Sequence, residues 1–327
     1  MNRSKPTPQD ENPEAGASVT PKILVVGGAN LDITGSCFNR LIPGDSNPGI
    51  IKNSPGGVGR NIAENLQRLG IQTSLLSIIG RDFGGSLILR YCNEAGIDTS
   101  AFFEHETLST GTYMAINNQI GSLLAAISDM AVIDTLSPCL LEKRLSYFAA
   151  ADEIILEANL SKEAIEWICQ TNPRKRIHAD AVSATKAVKL KPVLKHLDTL
   201  KVNREEAAAI IGSHGDDEFL AKSLFDQGVN RVLLSKGPQG CSLYSKEAIE
   251  DTAAIKGENI SDTGAGDALL AGFIAAQYLL KSQKDRLQFA SACATFALGS
   301  EESVNPLLST EQIRSQFLSH LDKEAWL

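Results

Sequence analysis

The chain predicts an α/β domain, with a mostly parallel central sheet flanked by helices on both faces and a small separate β-sheet. Three observations predict it. Short continuous apolar runs such as Lys22–Gly28 end in glycine, the pattern of parallel strands buried on both faces. From Thr73 onward, strand-like and helix-like stretches alternate, which implies right-handed βαβ crossovers. Extended, mixed stretches from about 31–55 and 110–130 interrupt that alternation and read as a second, smaller sheet.

In order along the chain, residues 1–20 are polar and rich in Pro, Glu, Ser and Asn, and read as a disordered tail ahead of one domain spanning 21–327. The tail lacks the apolar core of a secretory signal, and its acids disfavour a mitochondrial presequence. Cytoplasm is therefore the expected compartment, with organellar targeting by the tail left open. The run Lys22–Gly28 is not followed by G-x-G-x-x-G or by a helix, which argues against a dinucleotide fingerprint. Asn30–Gly35 and Ile50–Lys52 run extended. Val58, Ile62, Leu66 and Leu69 fall at helical spacing, with Gly70 as a C-cap. Thr73–Ile79 reads as a strand and Gly85–Ala95 as a helix. Gly111–Ile116 and Ser122–Ile127 read as strands joined by a hairpin connection at Asn117–Gly121. Glu153–Leu156, Arg176–Ala179, Leu200–Val202, Arg231–Leu234 and Cys241–Tyr244 are further strands. Ser161–Cys169 and Glu205–Ile211 are helical, and helices after Asp267 and Leu287 close the domain.

A length of 327 residues with 43% hydrophobic content is enough to bury a large core. The net charge of −8 argues against nucleic acid as a partner, and no apolar run is long enough for a membrane span. The six cysteines are scattered singly without a C-x-x-C pair, which argues against a zinc ribbon and for a reducing compartment.

Chemistry concentrates at Ser261–Asp267. The run after it, Ala268–Leu280, is almost wholly apolar and predicts a buried helix. Gly264 and Gly266 leave backbone N–H groups uncovered, and such groups at a helix start form an anion site. Asp267 brings a carboxylate to the same place, suited to take a hydroxyl proton while the N–H groups hold a transferring phosphoryl group. The same residues also fit a buried helix behind a Gly-rich turn. Likewise, Gly56-Gly57 followed by Asn61 fits either a close approach to a polyhydroxylated ligand or an ordinary Gly-rich helix entry.

Asp262-Thr263-Gly264-Ala265-Gly266-Asp267 resembles the C-terminal signature of the ribokinase-like (PfkB) carbohydrate and nucleoside kinases. Gly56-Gly57-Val58-Gly59-Arg60-Asn61 is similar to the N-terminal signature of that family, and the resemblance extends over the chain after residue 21. It implies a ribokinase-like α/β fold with a β-sheet lid over the acceptor site, binding ATP and Mg²⁺. By the same resemblance, Asp267 is the base, and Gly264, Ala265 and Gly266 form the anion hole. Asp32 holds acceptor hydroxyls, with Gly56, Gly57 and Asn61 completing the pocket. Asn203 and Glu206 lie near the nucleotide phosphates, Glu206 acting on Mg²⁺ through water. Ser235, Lys236, Gly237 and Gly240, with Thr263, cradle ATP. Cation-activated relatives often carry Asp two residues before the Thr of the C-terminal signature; here Ser261 stands there, which leaves potassium activation open. The exposed lid could pair with a second subunit's lid to give a homodimer.

A narrower resemblance lies in Gly44–Gly49, Ser54–Asn65 and Ala125–Met130, which together look like the pseudouridine kinases within this family. Ala181-Val182-Ser183 with Lys186 also resembles that branch. The implied reaction is phosphorylation of the pseudouridine 5′-hydroxyl; other sugar or nucleoside kinases of the family, and a silent binder on this fold, are the alternatives. Asn47 offers both donor and acceptor to a base edge. The segment around it reads equally as a surface turn.

Overall fold

The computed structural model describes residues 20–327 apart from Glu247 and Asp262. The expected disordered tail, as far as residue 19, lies outside the described residues, as does Asp262 of the C-terminal signature. Fourteen strands follow in chain order: β1 (Lys22–Val26), β2 (Asn30–Cys37), β3 (Gly49–Gly56), β4 (Gln72–Leu76), β5 (Ile78–Gly80), β6 (Phe103–His105), β7 (Thr112–Asn117), β8 (Leu123–Asp129), β9 (Glu153–Glu157), β10 (Arg176–Asp180), β11 (Thr199–Asn203), β12 (Arg231–Ser235), β13 (Cys241–Ser245) and β14 (Ile249–Thr252). Eight form the central sheet in the order β14-β13-β12-β11-β10-β9-β1-β4. The six from β12 to β4 run parallel, and β13 and β14 add an antiparallel edge.

Strand alternation divides the core. Leu24, Val26, Ile154, Leu156 and Leu200 pack to one face, against Ile165 and Ile168 of the helix Lys162–Thr171. Ile23, Val25, Leu75, Ile155 and Leu233 pack to the other, against Ile62 and Leu66 of the helix Val58–Arg68. That second face also receives the helices Ala265–Ala276 and Gln283–Leu298, the first buried throughout from Asp267 to Ala276. A sheet so covered leaves ligands the rim beyond its strand ends.

The separate sheet has the order β3-β2-β7-β8, with β2 and β7 parallel and the outer pairs antiparallel. Ile51 (75% exposed) and Ile127 (70%) leave part of it apolar and uncovered. The hairpin connection between β7 and β8 is braced by Asn118, whose Oδ1 accepts from the N–H groups of Ile120 and Ser122.

One expected strand divides. Thr73–Ile79 breaks after Leu76, and β5 leaves the central sheet to pair with β6. Every residue from Leu75 to Ile79 is buried, and Ser77 alone is polar among them, so the change of partner is hardly marked in the sequence. Among the described residues, no helix is long and apolar enough to cross a membrane.

Candidate active site

The apolar sequence after Asp267 does form a buried helix, Ala265–Ala276, capped by Gly264 at φ 81°. Only glycine takes that conformation without strain, and a Cβ there would also strike the Ser303 carbonyl. A glycine cap has no side chain to offer, so the first-turn N–H groups of Ala265, Gly266 and Asp267 get no help from it. Asp267 stands in that first turn and is buried. Its Oδ2 accepts from Asn61 Nδ2 at 2.7 Å, which ties the two signature segments together. Burial, with Asp180 nearby, pushes the Asp267 carboxyl up to about 7, against the Asn61 hydrogen bond and Lys201.

Asn61 is held there by its own helix entry. Gly57 takes φ 99°, and a Cβ on it would lie 2.8 Å from the Ala29 Cα, so this corner closes only on glycine. The neighbouring Gly56 stands opposite Asn30 in the β2–β3 pairing and leaves room for the Asp32 carboxylate. Asn30 Nδ2 donates to Asp32 Oδ1 at 2.7 Å. Burial raises the Asp32 carboxyl to about 6, opposed by Arg60 and by the Asn30 bond. Asp32, Gly56, Gly57, Asn61 and Asp267 thus form one continuous patch.

Three charged residues that sequence reasoning passed over complete it. Glu157, Asp180 and Lys201 stand in register across adjacent parallel strands, near the C-terminal ends of β9, β10 and β11. Lys201 Nζ lies 3.1 Å from Asp180 Oδ2 and against Gly266, where an added Cβ would come within 2.7 Å of it. Burial lowers the Lys201 ammonium, but Asp180, Glu206 and Asp267 more than offset this and hold it above its ordinary value. Glu157 accepts from the N–H groups of Gly28 and Asn159, both at 2.6 Å, and burial carries it up to about 7. Asp180 also accepts from the Val182 N–H at 2.7 Å, holding that β-branched residue at φ 64°. The available signal was a charged residue within an apolar strand run, since a buried charge needs a partner or a function.

On the other side of the Ala265–Ala276 N-terminus is a cavity of about 420 Å³. Ser235, Gly237, Gly240, Ala265 and Gly266 line one part of it, and Ile255, Leu269 and Leu298 are among its apolar walls. The size suits a nucleoside-type ligand. Lys236 does not point into that cavity as a free cation: its Nζ is 2.8 Å from Asp251 Oδ1. Asn203 and Glu206 form a reciprocal capping box on the helix Arg204–Ile211, each side chain accepting from the other's backbone N–H at 2.8 Å. Burial raises the Glu206 carboxyl, with Lys201 opposing. Thr263 is exposed, its hydroxyl 2.9 Å from that of Ser261. Among the described residues, no group of three or more His, Cys, Asp or Glu could hold a metal ion.

Asn47 stands apart from this cluster, in the β2–β3 loop. Its Oδ1 accepts from the Ile42 N–H at 2.7 Å, and its Nδ2 donates to the carbonyls of Ile42 and Asp45. As the surface-turn reading expects, both ends of the amide brace the loop.

The chain resembles known kinases over nearly its whole length. The model of the pfkB family carbohydrate kinases matches residues 20–310. The chain is 36% identical over 299 residues to the pseudouridine kinase of Escherichia coli K12, covering 90% of this chain and 95% of that one. A carbohydrate kinase from Agrobacterium tumefaciens superposes with a TM-score of 0.80 at 29% identity, covering 91% and 97%. The fold is also that of an Arabidopsis thaliana ribokinase solved with ribose and ATP, with a TM-score of 0.79 at 21% identity, covering 92% and 99%. This is a phosphotransferase whose acceptor is an alcohol group. The chain belongs to the pfkB family of carbohydrate kinases.

Proposed function

We propose that this enzyme phosphorylates the 5′-hydroxyl of pseudouridine with ATP and Mg²⁺. For the chemistry, the supporting observation is the Asp267 carboxylate, buried at a glycine-capped helix N-terminus between Asn61 and Lys201. For the acceptor, it is the 36% identity to a pseudouridine kinase across nearly all of both chains.

In this reading Asp32 accepts hydrogen bonds from ribose hydroxyls and brings the 5′-hydroxyl to Asp267, which takes its proton as the oxygen attacks the terminal phosphorus. The departing ADP lies in the 420 Å³ cavity, whose apolar walls suit a purine ring. The N–H groups of Ala265, Gly266 and Asp267, with the Lys201 ammonium, meet the charge on the transferring group. Magnesium, when bound with the nucleotide, neutralises the phosphate oxygens. Glu206 would hold it through water, its one hydrogen-bonded oxygen being anchored by the Asn203 N–H. A monovalent cation is left open in this reading, since Ser261 stands where cation-activated relatives often carry Asp.

The four-stranded sheet serves as the lid over the acceptor, drawn from about 31–55 and 110–130 of the 21–327 domain. Its uncovered apolar face, with Ile51 and Ile127, is where two copies would pair. Sedimentation should then give a dimer that Ile51→Asp dissociates; a monomer in the unsubstituted enzyme removes the lid-to-lid contact.

The acceptor is tested by comparing pseudouridine with uridine, ribose and adenosine. Pseudouridine has a ring N–H where uridine has a C–H. A buried acceptor satisfied by one and left unpaired by the other is worth about 1–3 kcal/mol, or roughly ten- to a hundred-fold in kcat/KM. Pseudouridine is expected to lead uridine by that factor, with ribose and adenosine poorer still. Asn47→Ala should shrink the preference while sparing the slow reaction with uridine; an unchanged ratio leaves Asn47 as a loop brace only. If ribose, fructose or adenosine proves the best acceptor, the pseudouridine reading falls and the kinase remains.

A further inference from the structure

The contact between Asn61 and Asp267 depends on which end of the Asn61 amide faces the carboxylate. An amide can present either its carbonyl or its NH₂, and both fit the same space. The other side of Asn61 makes the choice. There the Arg60 guanidinium donates to Asn61 Oδ1, leaving Nδ2 to donate to Asp267 Oδ2 at 2.7 Å. We propose that Arg60 is the positioning residue of the base: its guanidinium fixes the Asn61 amide in the one orientation that donates to Asp267. This rests on the reading of Asp267 as the base.

Arg60 is built for the task. It is 1% exposed, although it carries a charge, and it lies one residue from Asn61 on the helix Val58–Arg68. Nη1 pairs with Glu64 one turn on, and Nη2 also donates to the Pro55 carbonyl at 3.0 Å. Glu64 is held in turn by Arg68, with Nε 2.8 Å from Oε1. A guanidinium anchored at three places has little freedom to follow a rotating amide. Reversing Asn61 would set NH₂ against guanidinium and carbonyl against carboxylate, leaving donors facing donors and acceptors facing acceptors in a buried site.

The consequence is electrostatic. A hydrogen bond donated to a carboxylate favours its charged form. Around Asp267, burial comes first and raises it, as do Asp180 and Glu157 from the strand ends; Asn61 and Lys201 lower it. Of these, the Asn61 bond is the contribution that hangs on Arg60. The guanidinium itself faces Glu64 on its own helix, Asp32 on β2, and the Cys92 thiol on the helix Phe83–Glu94. With Asp32 it opposes burial directly, so both carboxylates of the site should take up protons more readily once it is gone.

The test follows the Asp267 carboxyl by ¹³C NMR in substrate-free enzyme labelled at aspartate carboxyls, its resonance identified by difference from Asp267→Asn. Two variants are compared with the unsubstituted enzyme. Arg60→Met combined with Glu64→Gln removes the ion pair together, so that neither charge is left buried alone. Arg60→Lys keeps the charge, but its point ammonium cannot reach Asn61, Glu64 and Pro55 together. In the double variant the Asp267 midpoint should rise by about half a pH unit or more, and in Arg60→Lys by less. A rise with lysine in place reports the lost hydrogen bond rather than the lost charge. The acid limb of kcat/KM should move upward with the midpoint. An unchanged midpoint in a folded variant overturns the proposal, and should the double variant not fold, Arg60→Lys decides. A midpoint that rises while the acid limb stays put supports the positioning of Asn61 and removes Asp267 as the base.

Discussion

Asp267→Asn is expected to abolish turnover while ATP still binds. The substitution keeps size and shape and removes the basic lone pair, so proton transfer fails while the helix N-terminus and the nucleotide cavity stay intact. The loss should be on the order of 10²–10⁴-fold, the usual contribution of a general base. Asparagine would also face the Asn61 NH₂ with one acceptor instead of a carboxylate, which adds to the loss by disturbing that contact. Single-turnover kinetics with calorimetric ATP titration separates the two effects; turnover within a few-fold of the unsubstituted enzyme would overturn the mechanism. The same carboxyl sets the pH dependence. Since burial pushes it up to about 7 and the base must be deprotonated, kcat/KM should fall as pH drops below about 7, with the plateau above it. Because Asp180 shares the site, the midpoint belongs to the group of carboxylates rather than to Asp267 alone.

Asp32→Ala should strike the acceptor and spare the nucleotide. It removes the hydrogen-bonding carboxylate on β2, beside Gly56 and away from the cavity lined by Ser235, Gly237 and Gly240. Hydrogen bonds to a charged group are worth about 1.5–3 kcal/mol, so kcat/KM for the nucleoside should fall roughly ten- to a hundred-fold, chiefly through KM. ATP affinity measured by calorimetry should stay nearly constant. Loss of ATP binding with acceptor binding intact would exchange the assignments of the two pockets.

What was legible in the sequence is what local chemistry dictates. The glycines of Gly56-Gly57 and of Gly264 mark backbone that cannot carry a side chain, and the structure shows the positive φ of Gly57 and Gly264. The apolar run after Asp267 can only be a buried helix, so the carboxylate at its start had to be held at a fixed point. The βαβ alternation likewise forecast a mostly parallel sheet, found in the six strands from β12 to β4, though not their order. What was hidden depends on register between distant strands. Glu157, Asp180 and Lys201 lie far apart in the chain and meet only because β9, β10 and β11 align them. Arg60 reads as a polar residue on a helix, and only the folded chain shows it buried between Glu64 and Asn61. Asn47 stood out as a candidate for the base edge, but its local sequence fits a loop brace equally well. Asn in a Pro- and Gly-rich loop satisfies itself locally, as it does here with Ile42 and Asp45.

The most direct test of pseudouridine 5′-kinase activity is the ³¹P NMR spectrum of the product made from pseudouridine, ATP and Mg²⁺. Transfer to the 5′-hydroxyl predicts stoichiometric ADP and a phosphomonoester resonance split into a triplet by the two 5′ protons, absent with Asp267→Asn. A doublet from a secondary hydroxyl, or ADP formed with no phosphorylated nucleoside, would contradict it.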